Sequence, residues 1–95
     1  MQVQIKLDEH GKGAFILEDQ GKELGRMEVS LHHNEIIAYH TEIIPEEEGH
    51  GYSKRLVEAV TEYARMNHLT IVPLCSFVQS QFKKHEDEYG DVWKR

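Results

Sequence analysis

Two glycines in one short loop are the residues of this chain whose spacing points most directly to ligand binding. Gly49 and Gly51 stand between a β-like run that ends at Ile44 and an amphipathic helical pattern that begins at Tyr52. The first amides of a helix have no partner inside the helix, and the aligned peptide dipoles add partial positive charge at that end. A Gly-x-Gly turn there would aim backbone donors outward, so the sequence predicts a phosphate-binding site.

The loop taken alone is also compatible with a simple tight turn. It lacks the third glycine and the acidic partner of a dinucleotide-binding fingerprint, and it does not match the phosphate loop of nucleoside triphosphatases. If it binds an anion, the expected donors combine main-chain amides with two polar side chains. The amides belong to Gly49, His50, Gly51, Tyr52 and Ser53, and the side chains belong to Ser53 and Lys54.

The single cysteine of the chain, Cys75, is the second candidate for chemistry. It follows a β-branched run and precedes Ser76, which together with Gln79 matches a capping-box pattern for a second helix. A helix N-terminus favours the thiolate, which makes Cys75 a candidate nucleophile. The alternative is a small buried apolar residue, which a lone cysteine more often is.

Among the seven histidines, His40 is the candidate general base. In an extended strand it alternates with Thr41, so one of the two faces the cleft, and Glu42 shares the face of His40. A histidine that is only hydrogen-bonded within the sheet is equally compatible with the pattern. No two histidines have the i, i+4 spacing of a helical zinc site, so no metal is predicted.

The elements that must position these residues follow from the apolar pattern. Alternation predicts hairpin-connected strands, and residues 36–44, apolar on both faces, indicate an inner strand. After residue 44 the spacing of apolar residues becomes helical, then strand-like over a short run, and then helical again. The expected strands cover residues 3–7, 14–17, 27–31, 36–44 and 69–74, and the expected helices cover residues 52–67 and about 76–85.

Strand, helix and strand in that order imply a right-handed parallel crossover between the fourth and fifth strands. The predicted fold is a mixed α/β sheet, in which a four-stranded antiparallel meander is followed by a helix, a parallel fifth strand and a second helix. Residues 1–95 are expected to form one small domain.

Composition excludes several classes of function. The chain carries 11 Lys+Arg against 17 Asp+Glu, a formal charge of -6, whereas a nucleic-acid surface needs a basic face. No apolar segment approaches the roughly 20 residues needed to span a bilayer, so no membrane partner is expected. One cysteine permits no internal disulfide. The expected location is the cytoplasm.

Four segments in chain order carry a resemblance. They are residues 37–43 with Pro45, then Gly49-x-Gly51-x-Ser53-Lys54-x-Leu56-Val57, then Val72-Pro73-Leu74-Cys75-x-Phe77-Val78, and finally Lys84-His85. Together they resemble the small, single-domain, cysteine-containing branch of the GNAT N-acetyltransferase superfamily. The resemblance covers roughly residues 36–85, and the combination of the glycine loop with Pro-Leu-Cys is more specific than either piece.

The resemblance implies acetyl-CoA as the co-substrate and an amine-bearing acceptor as the second partner. The glycine loop would receive the pyrophosphate, and backbone groups of Ile43 and Ile44 would meet the cofactor's arm. Cys75 would accept the acetyl group transiently or line the thioester, and His40 would take a proton from the acceptor or from Cys75. Two alternatives remain, a non-catalytic CoA-binding or protein-interaction module and an α/β domain without a CoA site. A monomer or weak homodimer is expected.

The loop departs from the superfamily's usual Gln/Arg-x-x-Gly-x-Gly/Ala pattern. Glu46 occupies the first position, and Glu48 stands directly before the first glycine, where the small branch commonly shows a basic residue. Because exposed charges about 4 Å apart in water interact by only ~1 kcal/mol, we expect these glutamates to weaken acetyl-CoA binding without abolishing it.

Overall fold

Apolar alternation builds five strands, and two amphipathic segments fold as helices beside them. The computed structural model describes all 95 residues. The strands are β1 (Gln2–Leu7), β2 (Lys12–Asp19), β3 (Lys22–His32), β4 (Glu35–Ile43) and β5 (Thr70–Pro73). The helices are α1 (Tyr52–Met66), α2 (Ser76–Lys84) and the four-residue α3 (Glu86–Tyr89), and Pro45–Glu47 forms a 3₁₀ turn.

The strands form one sheet in the order β1-β2-β3-β4-β5. Neighbours from β1 to β4 are antiparallel, whereas β5 runs parallel to β4 after the α1 crossover. The predicted architecture is therefore confirmed. The two main helices were predicted to within a residue of their ends, and β5 is shorter than predicted at both ends.

One cluster of 17 buried residues joins the sheet to the helices. On β2, Phe15 and Leu17 belong to the cluster, and the Phe15 ring meets the edge of Tyr63 from α1 at a centroid distance of 5.5 Å. From the helices, Val60 of α1 and Phe82 of α2 enter the same cluster. This packing fixes α1 against the sheet and so sets where the glycine loop lies.

A β-bulge at Tyr39 divides β4. Glu28 pairs with His40 and Val29 pairs with Ala38, so Tyr39 is the extra residue on β4. Pairing between β4 and β5 stops at Ala38, although the Cys75 amide still donates to the Ala38 carbonyl at 2.8 Å. Beyond this point the chain leaves the sheet to form α2, and β4 continues with β3 as its only neighbour.

The C-terminal segment covers the outer edge of β5. Trp93 bridges to Ile71, the Ile71 amide donates to the Val92 carbonyl, and the Lys94 amide donates to the Ile71 carbonyl at 2.8 Å. The Trp93 ring is half-buried and lies beside Phe82. The segment therefore covers this edge of β5 through a single parallel bridge.

The start of α2 differs from the predicted capping box. Ser76 is the first helical residue, and Cys75 takes the N-cap position without a side-chain cap. Cys75 is extended and its amide is held by Ala38, while its carbonyl accepts the Gln79 amide at 3.0 Å. The tie to β4 ends the extended segment at Cys75, so the helix begins too early for Ser76 to cap it.

Candidate functional site

The glycine loop owes its shape to two residues in the left-handed region. Gly49 has φ +88° and Gly51 has φ +76°, conformations that other L-residues adopt only with strain. No atom lies within 4 Å of where a Cβ would stand at either glycine. Gly51 is also the N-cap residue of α1 and offers no side-chain oxygen to the helix.

The backbone amides of residues 49–54 donate no hydrogen bond within the protein. The amides on either side are used, because Glu48 donates to the Pro45 carbonyl at 3.3 Å and Arg55 donates to the Gly51 carbonyl at 3.4 Å. Six consecutive donors therefore stand free at the positive end of the α1 dipole, which is the arrangement that binds phosphate in other proteins.

A cavity of about 460 Å³ opens against this loop. Six of the eight predicted cofactor-binding residues line it: Ile43, Gly49, Gly51, Tyr52, Ser53 and Lys54. His50 does not line the cavity, and its ring stacks on Tyr52 at a centroid distance of 5.4 Å. Ile44 lines a separate cavity, and both of its backbone groups are engaged, its amide with Leu24 and its carbonyl with the Glu47 amide.

Four further residues line the cavity without having been predicted to do so: Glu42, Glu47, Glu48 and Phe77. The ring of Phe77 is half-buried and faces both the core and the cavity. Of the three consecutive glutamates, Glu47 and Glu48 line the cavity and Glu46 does not. Lys54 is the single basic residue in the lining.

Cys75 lies behind the bulge and is only 6% exposed. Its Sγ is 3.3 Å from the Thr41 Oγ1, a hydrogen bond in which either atom can be the donor. Of the alternating pair His40 and Thr41, it is therefore Thr41 that faces Cys75. Sequence reasoning did not assign Thr41 a role, because the bulge that resets the alternation of β4 has no signal in the apolar pattern.

His40 and Glu42 share the opposite, solvent-facing side of β4. The His40 side chain is 65% exposed, and its Nε2 is 3.9 Å from the Glu42 Oε1, so the predicted shared face is observed. Across the sheet His40 pairs with Glu28. The structure thus does not bring His40 to Cys75, and no contact joins the two candidate catalytic residues.

Comparison with known proteins decides the family. Residues 14–92 match the family model described as GCN5-related N-acetyl-transferase. The chain belongs to the GCN5-related N-acetyltransferase family. A search of curated proteins found no match. Among solved structures, this acetyltransferase is similar to a Staphylococcus aureus protein assigned as a GCN5-like N-acetyltransferase. The two are 35% identical, the alignment covers 96% of this chain and 87% of that chain, and the TM-score is 0.69.

Two more distant structures share the fold of this GCN5-related N-acetyltransferase. Nourseothricin acetyltransferase is 24% identical over 74% of this chain and 44% of that chain, with a TM-score of 0.54. An aminoglycoside N-acetyltransferase in complex with CoA is 16% identical over 90% of this chain and 69% of that chain, with a TM-score of 0.56. No helix of this protein combines the length and apolar character that crossing a membrane requires.

Proposed function

We propose that residues 1–95 form one catalytic domain that transfers the acetyl group of acetyl-CoA to a primary amine. The observation that carries this proposal is the run of six unpartnered amides, residues 49–54, beside a cavity large enough to hold part of a nucleotide cofactor. The CoA bound to the structurally similar aminoglycoside N-acetyltransferase supports the same cofactor here. A cytoplasmic location and a monomer or weak homodimer stay predictions from the sequence.

In this proposal the pyrophosphate of acetyl-CoA docks on the amides of residues 49–54. Lys54 adds a charge-assisted donor and Ser53 adds a hydroxyl, and both side chains line the cavity. Ile43 and Phe77 supply apolar walls for the cofactor's arm. The backbone groups of Ile44 are occupied within the protein, which favours Ile43 over Ile44 as the main contact.

The acetyl transfer requires a neutral amine nitrogen at the carbonyl carbon of the thioester. A C–N bond forms, the C–S bond to CoA breaks, and the departing CoA thiolate takes up a proton. In this proposal His40 removes a proton from the acceptor rather than from Cys75, which is supported by its exposed side chain on the solvent-facing side of β4. Cys75 either accepts the acetyl group first or lines the thioester without covalent chemistry.

A non-catalytic CoA-binding module is the second candidate. Two observations favour it: Glu47 and Glu48 line the cavity, and His40 is separated from Cys75. Such a module would bind acetyl-CoA without releasing free CoA thiol in the presence of amines.

Calorimetry with acetyl-CoA and a thiol-release assay with a panel of amines and peptides test these alternatives. Heat of binding together with amine-dependent thiol release supports the transferase, and binding without release supports the module. If acetyl-CoA produces neither heat nor thiol release, both are excluded.

Variants of the two candidate catalytic residues then assign their roles. Cys75→Ala with full activity, and no acetyl adduct on the wild-type protein by intact mass, would remove the covalent step. His40→Ala with an unchanged rate from pH 6 to 9 would remove the base assignment.

A further inference from the structure

We propose that Thr41 is a positioning residue for Cys75, and that its hydroxyl donates a hydrogen bond to the thiolate form of the sulfur. The inference deepens the proposed function, on which it rests for its catalytic meaning. The two side chains are 34 residues apart in sequence, and their Oγ1 and Sγ atoms are 3.3 Å apart in the fold.

The geometry of both partners is fixed by the backbone of β4. Thr41 is part of that strand, and a β-branched side chain has restricted χ1, so its hydroxyl is held in place. Cys75 is tied to the same strand just before the bulge, because its backbone N–H donates a hydrogen bond to the Ala38 carbonyl at 2.8 Å. The bulge at Tyr39 turns Thr41 towards Cys75 and leaves His40 on the solvent-facing side of β4.

The protonation states of the sulfur decide which atom donates. With a neutral thiol either group can be the donor, but a thiolate can only accept, so the hydroxyl must then donate. A hydrogen bond to a charged acceptor is roughly twice as strong as one between neutral groups. In the covalent route the Thr41 hydroxyl is therefore the donor, and it holds and stabilises the attacking sulfur.

In the covalent route the Cys75 thiolate attacks the acetyl carbonyl carbon. A new thioester bond forms at Sγ, the bond to the CoA sulfur breaks, and CoA leaves as a thiolate that takes a proton from solvent. The attacking thiol has lost its own proton to solvent beforehand. Thr41 keeps its proton throughout and acts only by holding and stabilising the sulfur.

The test is the rate at which iodoacetamide alkylates Cys75 at pH 7 in three proteins: wild type, Thr41→Val and Thr41→Ser. Valine keeps the branched shape and removes the hydroxyl, whereas serine keeps the hydroxyl. We expect the valine variant to react about tenfold more slowly, because a hydrogen bond to a charged group is lost, and the serine variant to stay within about twofold of wild type. Thr41→Ala serves if the valine variant does not fold.

A second readout is the rate of acetyl-adduct formation at Cys75 on mixing with acetyl-CoA, which should fall in the same order. Equal alkylation rates in the valine variant and wild type would overturn the inference, as would loss of reactivity in the serine variant. The alkylation assay uses no acetyl-CoA, so it still decides the role of Thr41 if wild type binds no cofactor and the proposed function fails.

Discussion

The two ends of β4 show how one strand serves two purposes. Its closed end, Glu35–Ala38, pairs with β3 on one side and β5 on the other. Its open end, His40–Ile43, pairs with β3 alone and leads into a loop whose six amides donate to nothing. The closed end is thus paired on both sides, whereas the open end is paired on one side only. Stability comes from the first, and acetyl-CoA is proposed to bind beside the second.

The largest expected effect tests the stability of the closed end. Ile71 is fully buried between β4 and the C-terminal segment, so Ile71→Ala should lower the free energy of unfolding by about 3 kcal/mol. Leu74 is three residues further along the chain and 63% exposed, so it is the matched control. Leu74→Ala should change the free energy of unfolding by less than about 0.5 kcal/mol. Urea denaturation followed by circular dichroism measures both. Equal losses would show that burial of Ile71 against the closed end adds no stability.

The next prediction concerns the open end. Gly51→Ala should weaken acetyl-CoA binding by at least about tenfold, because a Cβ and a strained backbone would disturb the free amides. Gly21 provides a matched control, since it has φ +80° in the β2–β3 turn and also has no atom within 4 Å of its missing Cβ. Both alanine variants should lose similar stability, but Gly21→Ala should bind acetyl-CoA normally in calorimetry. Equal affinities in the two variants would refute the loop as the phosphate site.

A smaller effect is expected from the charges around the open end. Glu48 lines the cavity and Glu46 does not, so Glu48→Gln should tighten acetyl-CoA binding up to about fivefold at low salt, with Glu46→Gln having less effect. The difference should shrink in 0.5 M salt because the interaction is screened. Titrations at two ionic strengths make this measurement, and an unchanged affinity for Glu48→Gln at low salt would show that its carboxylate points away from the phosphates.

The smallest effect concerns the ion pair that fastens the C-terminal segment to α1. Arg65 holds Asp91 through two hydrogen bonds of 2.8 and 3.1 Å, and this contact lowers the pKa of Asp91. A lowered carboxylate pKa contributes stability above its usual range near 4, and the contribution is lost as the pH falls through the folded-state value. Both side chains are more than one-third exposed, so Arg65→Met should cost only about 0.5–1 kcal/mol at pH 7.

The pH dependence separates this ion pair from general packing effects. The cost of Arg65→Met should begin to diminish as the pH falls below about 4, where Asp91 is protonated in the unfolded state. It should vanish below the lowered folded-state pKa of Asp91, where the carboxyl is protonated in both states. Arg55 of the same helix takes part in none of the protein's salt bridges, so Arg55→Met should show no comparable pH dependence. Thermal melts from pH 3 to 7 provide the comparison. A constant cost across that range would assign the role of Arg65 to contacts that do not titrate, such as its hydrogen bond to the Glu88 carbonyl.

Periodicity predicted the elements well, because alternation and helical stripes are set by burial on one side. The run of apolar residues 36–44 indicated an inner strand, and Ile36 and Ala38 are indeed fully covered. The glycine pair indicated the loop, since few other residues hold positive φ. Six of the eight residues predicted around it line the same cavity.

Features that depend on tertiary pairing could not be predicted from the same pattern. The bulge at Tyr39 reverses which residues of β4 face Cys75, so His40 and Thr41 could not be told apart by alternation alone. Phe77 resembled a core residue because an apolar wall of a cavity and a core position attract the same side chains. The pairing of Trp93 with Ile71 joins segments 22 residues apart through backbone groups, which leave no trace in side-chain composition.

The short pairing of the C-terminal segment with β5 has a consequence for behaviour at high concentration. A naked strand edge is a template on which a strand from another molecule can align, which is how many β-proteins polymerise. Because Val92 and Lys94 already form hydrogen bonds with both backbone groups of Ile71, a strand from another molecule cannot pair with Ile71 at that edge. Removing these few residues should therefore promote precipitation before it affects any chemistry at the far end of the sheet.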